Sequence, residues 1–183
     1  IDVPCLPMSQ AEKEDIDVLF ATGWETAYPV FNMKNPAHKM YFVQDFEPLF
    51  YGMGSKAVLA ENTYRFGFYG ITAGCWLTKK VGEYGMKADF FDFGADLDIY
   101  RPTEKTPKKK QICFYARPVT ERRAFEIGVL TLTKFHQMHP DYNIVFFGWD
   151  VSDYDIPFPY ENRGIISPAE LSSIYHDSQA CLV

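Results

Sequence analysis

Residues 111–135, "QICFYARPVTERRAFEIGVLTLTKF", set a strand-like apolar run (111–116) against Arg117, Arg122 and Arg123 and then a helix-like run. Thr120 stands where an N-cap belongs, with Pro118 upstream, so a helix is expected over 120–140. A strand giving way to a helix is the elementary step of an α/β fold. It is also where such folds hold anions: the unpaired N–H groups of a first helical turn point outward, and the helix dipole adds partial positive charge. The competing reading makes Glu121, Arg122 and Arg123 an ordinary solvated first turn. The stretch alone leaves both open.

The same alternation runs through the rest of the chain. Upstream, 17–22, 39–44, 69–74 and 87–94 read as strands, with a short, proline-interrupted helical turn at 24–31, a fuller helix at 55–68, and a helix at 75–85 that Gly85 stops. Downstream come a strand at 142–148, a loop rich in Asp, Pro and Tyr, a strand at 163–167, a helix at 168–178 with Ser167 as cap and Pro168 in its first position, and a strand at 179–183. Between the two blocks, "DIYRPTEKTPKKK" (98–110) has the composition of an exposed connection. The expected fold is α/β: two partial Rossmann-like units, 1–98 and 111–183, with parallel sheets flanked by helices and a linker at 99–110.

Composition narrows the function classes. The chain has 183 residues, 47% hydrophobic and 23% charged, enough to bury a substantial core. A net charge of −6 argues against a nonspecific nucleic-acid binder, which needs a broad basic face. The one basic run, "KKK" at 108–110, reads as solvating the linker. No apolar run approaches the roughly 18 residues of a membrane span, and no signal-peptide pattern opens the chain. Cys5, Cys75, Cys113 and Cys181 are far apart in sequence, without CxxC or metal-ligand spacing, and read as reduced, mostly buried thiols of a cytosolic protein. The chain opens on "IDVPCLPMSQ" and stops on "QACLV", which reads as a buried strand. Since a domain rarely ends inside its core, a piece of a longer polypeptide is expected, self-associating through apolar edges near Ile1 or Val183.

Several chemistries lack their motif. "GMGS" (52–55) and "GITAG" (70–74) are too short for a dinucleotide or P-loop fingerprint, and there is no GxSxG elbow. His38, His136, His139 and His176 are scattered and read as surface or packing residues. Asp96 and Asp98, two apart in "FGADLD", read as turn and cap residues rather than metal ligands, and Phe66, Phe68, Tyr69 and Phe91 are spaced like core packing.

The order of these pieces resembles the glycosyltransferases of the GT-B fold, and within them the rhamnosyltransferase-like proteins of bacterial polysaccharide and surface-glycan assembly. "YFVQDFEPLFYGMGS" (41–55) and "AENTYRFGFYGITAGCWL" (60–77) are similar to the middle of that group, and "FFDFGADLDIYRP" (90–102) resembles the "NGVD…F.P" segment ending the first domain. "ICFYARPVTERRAFEIGVLTL" (112–132) is similar to the "GRL..EKG" segment opening the second, with Arg117 in place of the motif arginine and Arg122 in place of the lysine. "YNIVFFGWD" (142–150) and "GIISPAELSSIYHDSQACLV" (164–183) continue that domain in register.

The resemblance implies two Rossmann-like domains with the active site between them. This chain is similar to the end of the first, acceptor-side domain and the beginning of the second, donor-side one. It lacks the early strands and the Glu-containing segment that grips the donor, so alone it is expected to be inactive. In the full-length protein the implied reaction moves a sugar from a nucleotide-diphosphate donor, such as dTDP-rhamnose, to a glycan or lipid-linked glycan, with no cofactor or metal. Donor-side candidates are Arg117, Arg122, Arg123, Gly148, Trp149 and Ile166. On the acceptor side, Gln44, Asp45 and Glu47 follow the strand at 39–44, where open α/β sheets bind ligands. Asp45 is the candidate general base; the bland alternative has Asp45 or Glu47 capping the turn before Pro48. The implied location is the bacterial cytoplasm at the inner membrane face, with peripheral association through regions outside this chain. The rival reading is a noncatalytic α/β module that binds an anion or a protein through the same arginines.

Overall fold

The computed structural model describes residues 3–102 and 107–183. The chain forms two compact units, Ile1–Gly94 and Ala95–Val183. In the first, a short helix α1 (Met8–Ala11) precedes β1 (Val18–Ala21), α2 (Trp24–Asn32), β2 (His38–Val43), α3 (Ser55–Asn62), β3 (Tyr69–Ala73), α4 (Cys75–Gly82) and β4 (Lys87–Phe91). In the second, β5 (Gln111–Tyr115) is followed by α5 (Phe125–Met138), β6 (Asn143–Phe147), β7 (Glu161–Asn162), α6 (Pro168–Asp177) and β8 (Ala180–Leu182).

The first sheet runs β1-β2-β3-β4, every pair parallel. Alternation along the strands puts Ala21, Tyr41 and Val43 on the face that packs against Ala27 and Val30 of α2 and Leu77 and Val81 of α4. The turn expected to break at Pro29 is a continuous helix, because burial of Ala27 and Val30 outweighs the one missing backbone N–H. The helix expected over 55–68 ends at Asn62 and passes into a 3-10 turn, Thr63–Arg65, which buries Thr63 and Tyr64. Gly85, with φ of +89°, follows α4 as the expected stop. Phe66 and Phe68 pack as expected, Phe66 stacking on Phe31 with ring centroids 4.4 Å apart, whereas Tyr69 stays 42% exposed.

The second sheet is also parallel, in the order β7-β6-β5-β8. Its two faces are covered by different helices. Phe114 and Phe146 pack with Phe125 and Leu132 of α5, while Cys113, Val145 and Phe147 pack with Ile174 of α6. The chain therefore leaves β5 on one side to build β6 and returns on the other to build β8, so the carboxyl end of β5 is the point where strand order reverses.

Several expectations need correction here. The helix expected from Thr120 starts at Phe125: Glu121–Arg123 form a 3-10 turn, and Ala124 takes a left-handed conformation with φ of 50°. Phe125 sets that start, since its ring is buried and stacks on Phe114 at 5.9 Å. The strand expected at 163–167 is instead Glu161–Asn162. Gly164, with φ of +59°, turns the chain away, and Ile165 is 81% exposed where a buried strand would cover it. Ser167 caps α6 in a reciprocal box with Glu170, and Pro168 takes the first helical position.

The expected linker is only partly an open connection, and its residues 103–106 lie outside the described residues. The Ser172 hydroxyl donates to the Ile99 carbonyl at 2.7 Å, and the His176 ring lies 2.9 Å from the Arg101 carbonyl. The three lysines are tied down rather than merely solvated: Lys108 donates to the Ser178 carbonyl at 2.6 Å, Lys109 pairs with Asp177, and Lys110 pairs with Asp141. Asp96 accepts the Asp98 N–H at 3.0 Å, a turn contact. Among the cysteines only Cys113 is buried, and the parallel crossover makes it the register partner of Cys181. The Cys181 thiol lowers the Cys113 pKa to about 7, against burial that pushes it up.

Candidate functional site

At the carboxyl end of β5, Tyr115, Arg117 and Arg123 come together. Strand alternation puts Tyr115 and Arg117 on the same side, with Ala116 fully buried between them. The Arg117 Nη1–H donates to the Tyr115 hydroxyl at 3.1 Å. Arg117 Nε is buried, with no hydrogen-bond partner among the described residues. The Arg123 guanidinium lies over the Tyr115 ring, 5.6 Å from its centroid, a cation–π arrangement that also holds a second positive charge near the first. The Phe147 ring, from the neighbouring strand, is 5.5 Å away.

Gly148 completes this arrangement. It follows β6 with φ of +103°, and a Cβ there would come within 2.5 Å of the Tyr115 ring. Its N–H donates to the Gly164 carbonyl at 2.8 Å, tying the ends of β6 and β7 together. Trp149 lines a cavity of about 600 Å³ with Asp150, Ser152, Asn162, Arg163 and Gly164. Asp150 organises its rim, accepting from the Ser152 hydroxyl and the Asn162 amide at 2.6 Å each, and the Ser152 bonds hold its carboxyl below the ordinary carboxylate value. Arg122 lies exposed on the 3-10 turn. Ile166 is on no strand; it packs beside Leu171 against the Cys113 face of the sheet.

In the first unit the three acceptor-side candidates behave differently. Gln44 is exposed and donates to the Thr22 carbonyl at 3.4 Å, linking the ends of β1 and β2. Asp45 is exposed and accepts the Phe46 N–H at 2.8 Å, a turn contact. Glu47 is turned inward and only 5% exposed. Its carboxylate accepts the Trp24 N–H at 2.7 Å and the Tyr41 hydroxyl at 3.1 Å, while its own N–H donates to the Tyr64 hydroxyl at 3.1 Å. Glu47 therefore caps the first turn of α2 from another part of the chain. Burial pushes its carboxyl pKa up, and the Trp24 and Tyr41 bonds oppose that. Among the described residues, no group of three or more His, Cys, Asp and Glu side chains is placed to hold a metal ion.

With this geometry in hand, comparison with known proteins places the chain. Residues 9–73 match the WsaF N-terminal domain and residues 110–183 the WsaF C-terminal domain, together more than half of the chain. The chain belongs to the WsaF family. Its matched regions are thus glycosyltransferase-type domains of the GT-B class. An O-antigen biosynthesis protein, RfbC of Myxococcus xanthus, is 33% identical over 168 residues, covering 88% of this chain. The chain spans 13% of the length of that relative. The solved structure of sucrose-phosphate synthase from Thermosynechococcus elongatus matches with a TM-score of 0.65 at 10% identity, over 90% of this chain and 49% of that one, a likeness of fold.

In this WsaF-family chain, the C-terminal match takes in Tyr115, Arg117, Arg123, Gly148 and Trp149, and the N-terminal match takes in Gln44, Asp45 and Glu47. Tyr115 is the residue that motif reading passed over. The signal was present: in "FYARP" an aromatic stands two residues before the arginine, which on a strand means the same face. No helix among the described residues is long and apolar enough to cross a membrane.

Proposed function

We propose that this chain carries part of the donor and acceptor machinery of a glycosyltransferase that moves a sugar, a rhamnosyl group, from a dTDP-linked donor to a growing bacterial glycan. The observation that carries this reading is the gathering of Arg117 and Arg123 on Tyr115 where the strand order reverses. When the glycosidic bond to a nucleoside diphosphate breaks, negative charge builds on the leaving phosphates. Two guanidinium groups at a strand end suit that task, since each charge-assisted bond is worth about 1.5–3 kcal/mol and strengthens as the charge develops. The arginines supply this positive charge without a resident metal.

The cavity beside Trp149 and the Gly148 backbone take the nucleotide end of the donor. In the first unit, Asp45 takes the proton from the acceptor hydroxyl and Gln44 binds beside it. Glu47 acts one step back, holding the start of α2 in place. The name of the M. xanthus relative supports a glycan, free or lipid-linked, as acceptor. The enzyme works in the cytoplasm, at the membrane's inner face.

The test is a titration of dTDP and UDP into the full-length protein that carries these residues. Saturable binding that Arg117→Ala weakens supports the reading. Absence of binding to either nucleotide overturns it in favour of a noncatalytic module.

A further inference from the structure

We infer that Tyr115 is a positioning residue for the diphosphate of the donor, holding Arg117 through its hydroxyl and Arg123 through its ring. The inference rests on the donor-site reading above and deepens it. A guanidinium on a flexible stem loses rotamer freedom when it grips a phosphate, so affinity rises if that freedom is removed beforehand. Tyr115 does this for two arginines at once. Its hydroxyl fixes one edge of the Arg117 fork at 3.1 Å, leaving the remaining N–H groups of a planar donor to meet oxygen atoms. Its ring face holds the Arg123 guanidinium at 5.6 Å.

The ring is itself held. It ends β5 in register with Phe147, whose ring lies 5.5 Å away, and only a glycine at 148 leaves room for it. An aromatic needed only for packing would not require its hydroxyl to meet a guanidinium. The Tyr115 bond uses one N–H of the Arg117 guanidinium, so outer donors of the fork remain to meet an anion.

The experiment measures binding of dTDP and of inorganic pyrophosphate to the full-length protein by calorimetry, for wild type, Tyr115→Phe, Arg117→Ala and the double variant, with melting curves for each. Tyr115→Phe keeps the ring and removes the hydroxyl. It should weaken dTDP binding three- to ten-fold at an unchanged melting temperature. Pyrophosphate should lose by the same factor, because the arginines meet phosphate and not the base. In the Arg117→Ala background, Tyr115→Phe should have no further effect. Unchanged binding by Tyr115→Phe, or a full additional loss in the double variant, overturns the role of Tyr115 and leaves the donor reading standing, provided that Arg117→Ala alone binds weakly. Undiminished binding by Arg117→Ala overturns both.

Discussion

The Cα of Gly148 lies so close beside the ring of Tyr115 that a methyl group on it would come within 2.5 Å of one ring carbon and 3.0 Å of the Ala116 carbonyl oxygen. With φ of +103°, the position is also one that side chains rarely adopt. Gly148→Ala should therefore cost about 2 kcal/mol or more of stability and displace the ring that holds both arginines. Melting curves and dTDP titration on the same variant check this: wild-type values in both would mean that the ring and the strand end are independent of each other.

A second glycine reverses the usual helix rule. Gly128 sits inside α5, where Gly→Ala ordinarily stabilises by about 1 kcal/mol. Here a Cβ would approach the Phe114 ring to 2.2 Å, in the core that joins α5 to β5. Gly128→Ala should destabilise instead, by about 1–3 kcal/mol, and denaturant melts that show a gain would contradict this packing.

How much of this was legible in the sequence depended on the range of the interaction. The strands from 39, 69, 87, 111 and 142 were visible as short β-rich runs, and the Ser167–Pro168 helix start as a local pair. Arg117 was placed at its strand end by the motif. The capping role of Glu47 was hidden, because its partner Trp24 is 23 residues away and nothing local reports the bond. The true start of α5 was hidden for a related reason: Thr120 looks like a cap, yet the stacking of Phe125 on Phe114 decides where the helix begins. Ile166 was misplaced along with its strand, because the conformation of Gly164 turns the chain before it. Tyr115 was visible but silent, since an aromatic at a strand end usually means packing.

Glu47 carries a pH signature. Its carboxyl pKa is raised by burial above the ordinary 4.5, so the folded state binds this proton more tightly than the unfolded state does. The stability it contributes is fully present below the unfolded value and is lost as pH rises through the folded one. In Glu47→Gln the amide oxygen can accept from Trp24 and the amide N–H can donate to the Tyr41 oxygen, without a charge to desolvate. The melting temperature of wild type should fall relative to Glu47→Gln between pH 4 and pH 8, on the order of the carboxylate range and just above it. A gap that does not move with pH would show that the carboxyl titrates alike in both states. Glu47→Ala, which strands the Trp24 N–H and the Tyr41 hydroxyl, should cost about 1–3 kcal/mol at acid pH and less as pH rises, because the charge it removes is the one that burial disfavours.

On the donor-site reading, Arg117→Ala in the full-length protein should reduce kcat/KM far more than it reduces stability, because a half-buried side chain beyond the strand end leaves little packing behind. Losing a contact that strengthens as the leaving group gains charge costs about 2–4 kcal/mol in the transition state, or roughly thirty-fold to nearly a thousand-fold. Arg123→Ala should follow, since Arg123 lies over the ring of the same Tyr115 whose hydroxyl bonds Arg117. Arg122→Ala is expected to act in the same direction and to rank third, because the motif reading alone points to it. Arg117→Lys should rescue only in part: the charge remains, but the planar fork that bonds Tyr115, and that on the donor-site reading also meets a phosphate, is gone. A solvated turn predicts something else, with all three alanine variants turning over normally and stability changing by less than about 0.5 kcal/mol. Steady-state kinetics with melting curves on the same preparations separate the two, and near-wild-type turnover in both Arg117→Ala and Arg123→Ala would sink the donor-site assignment.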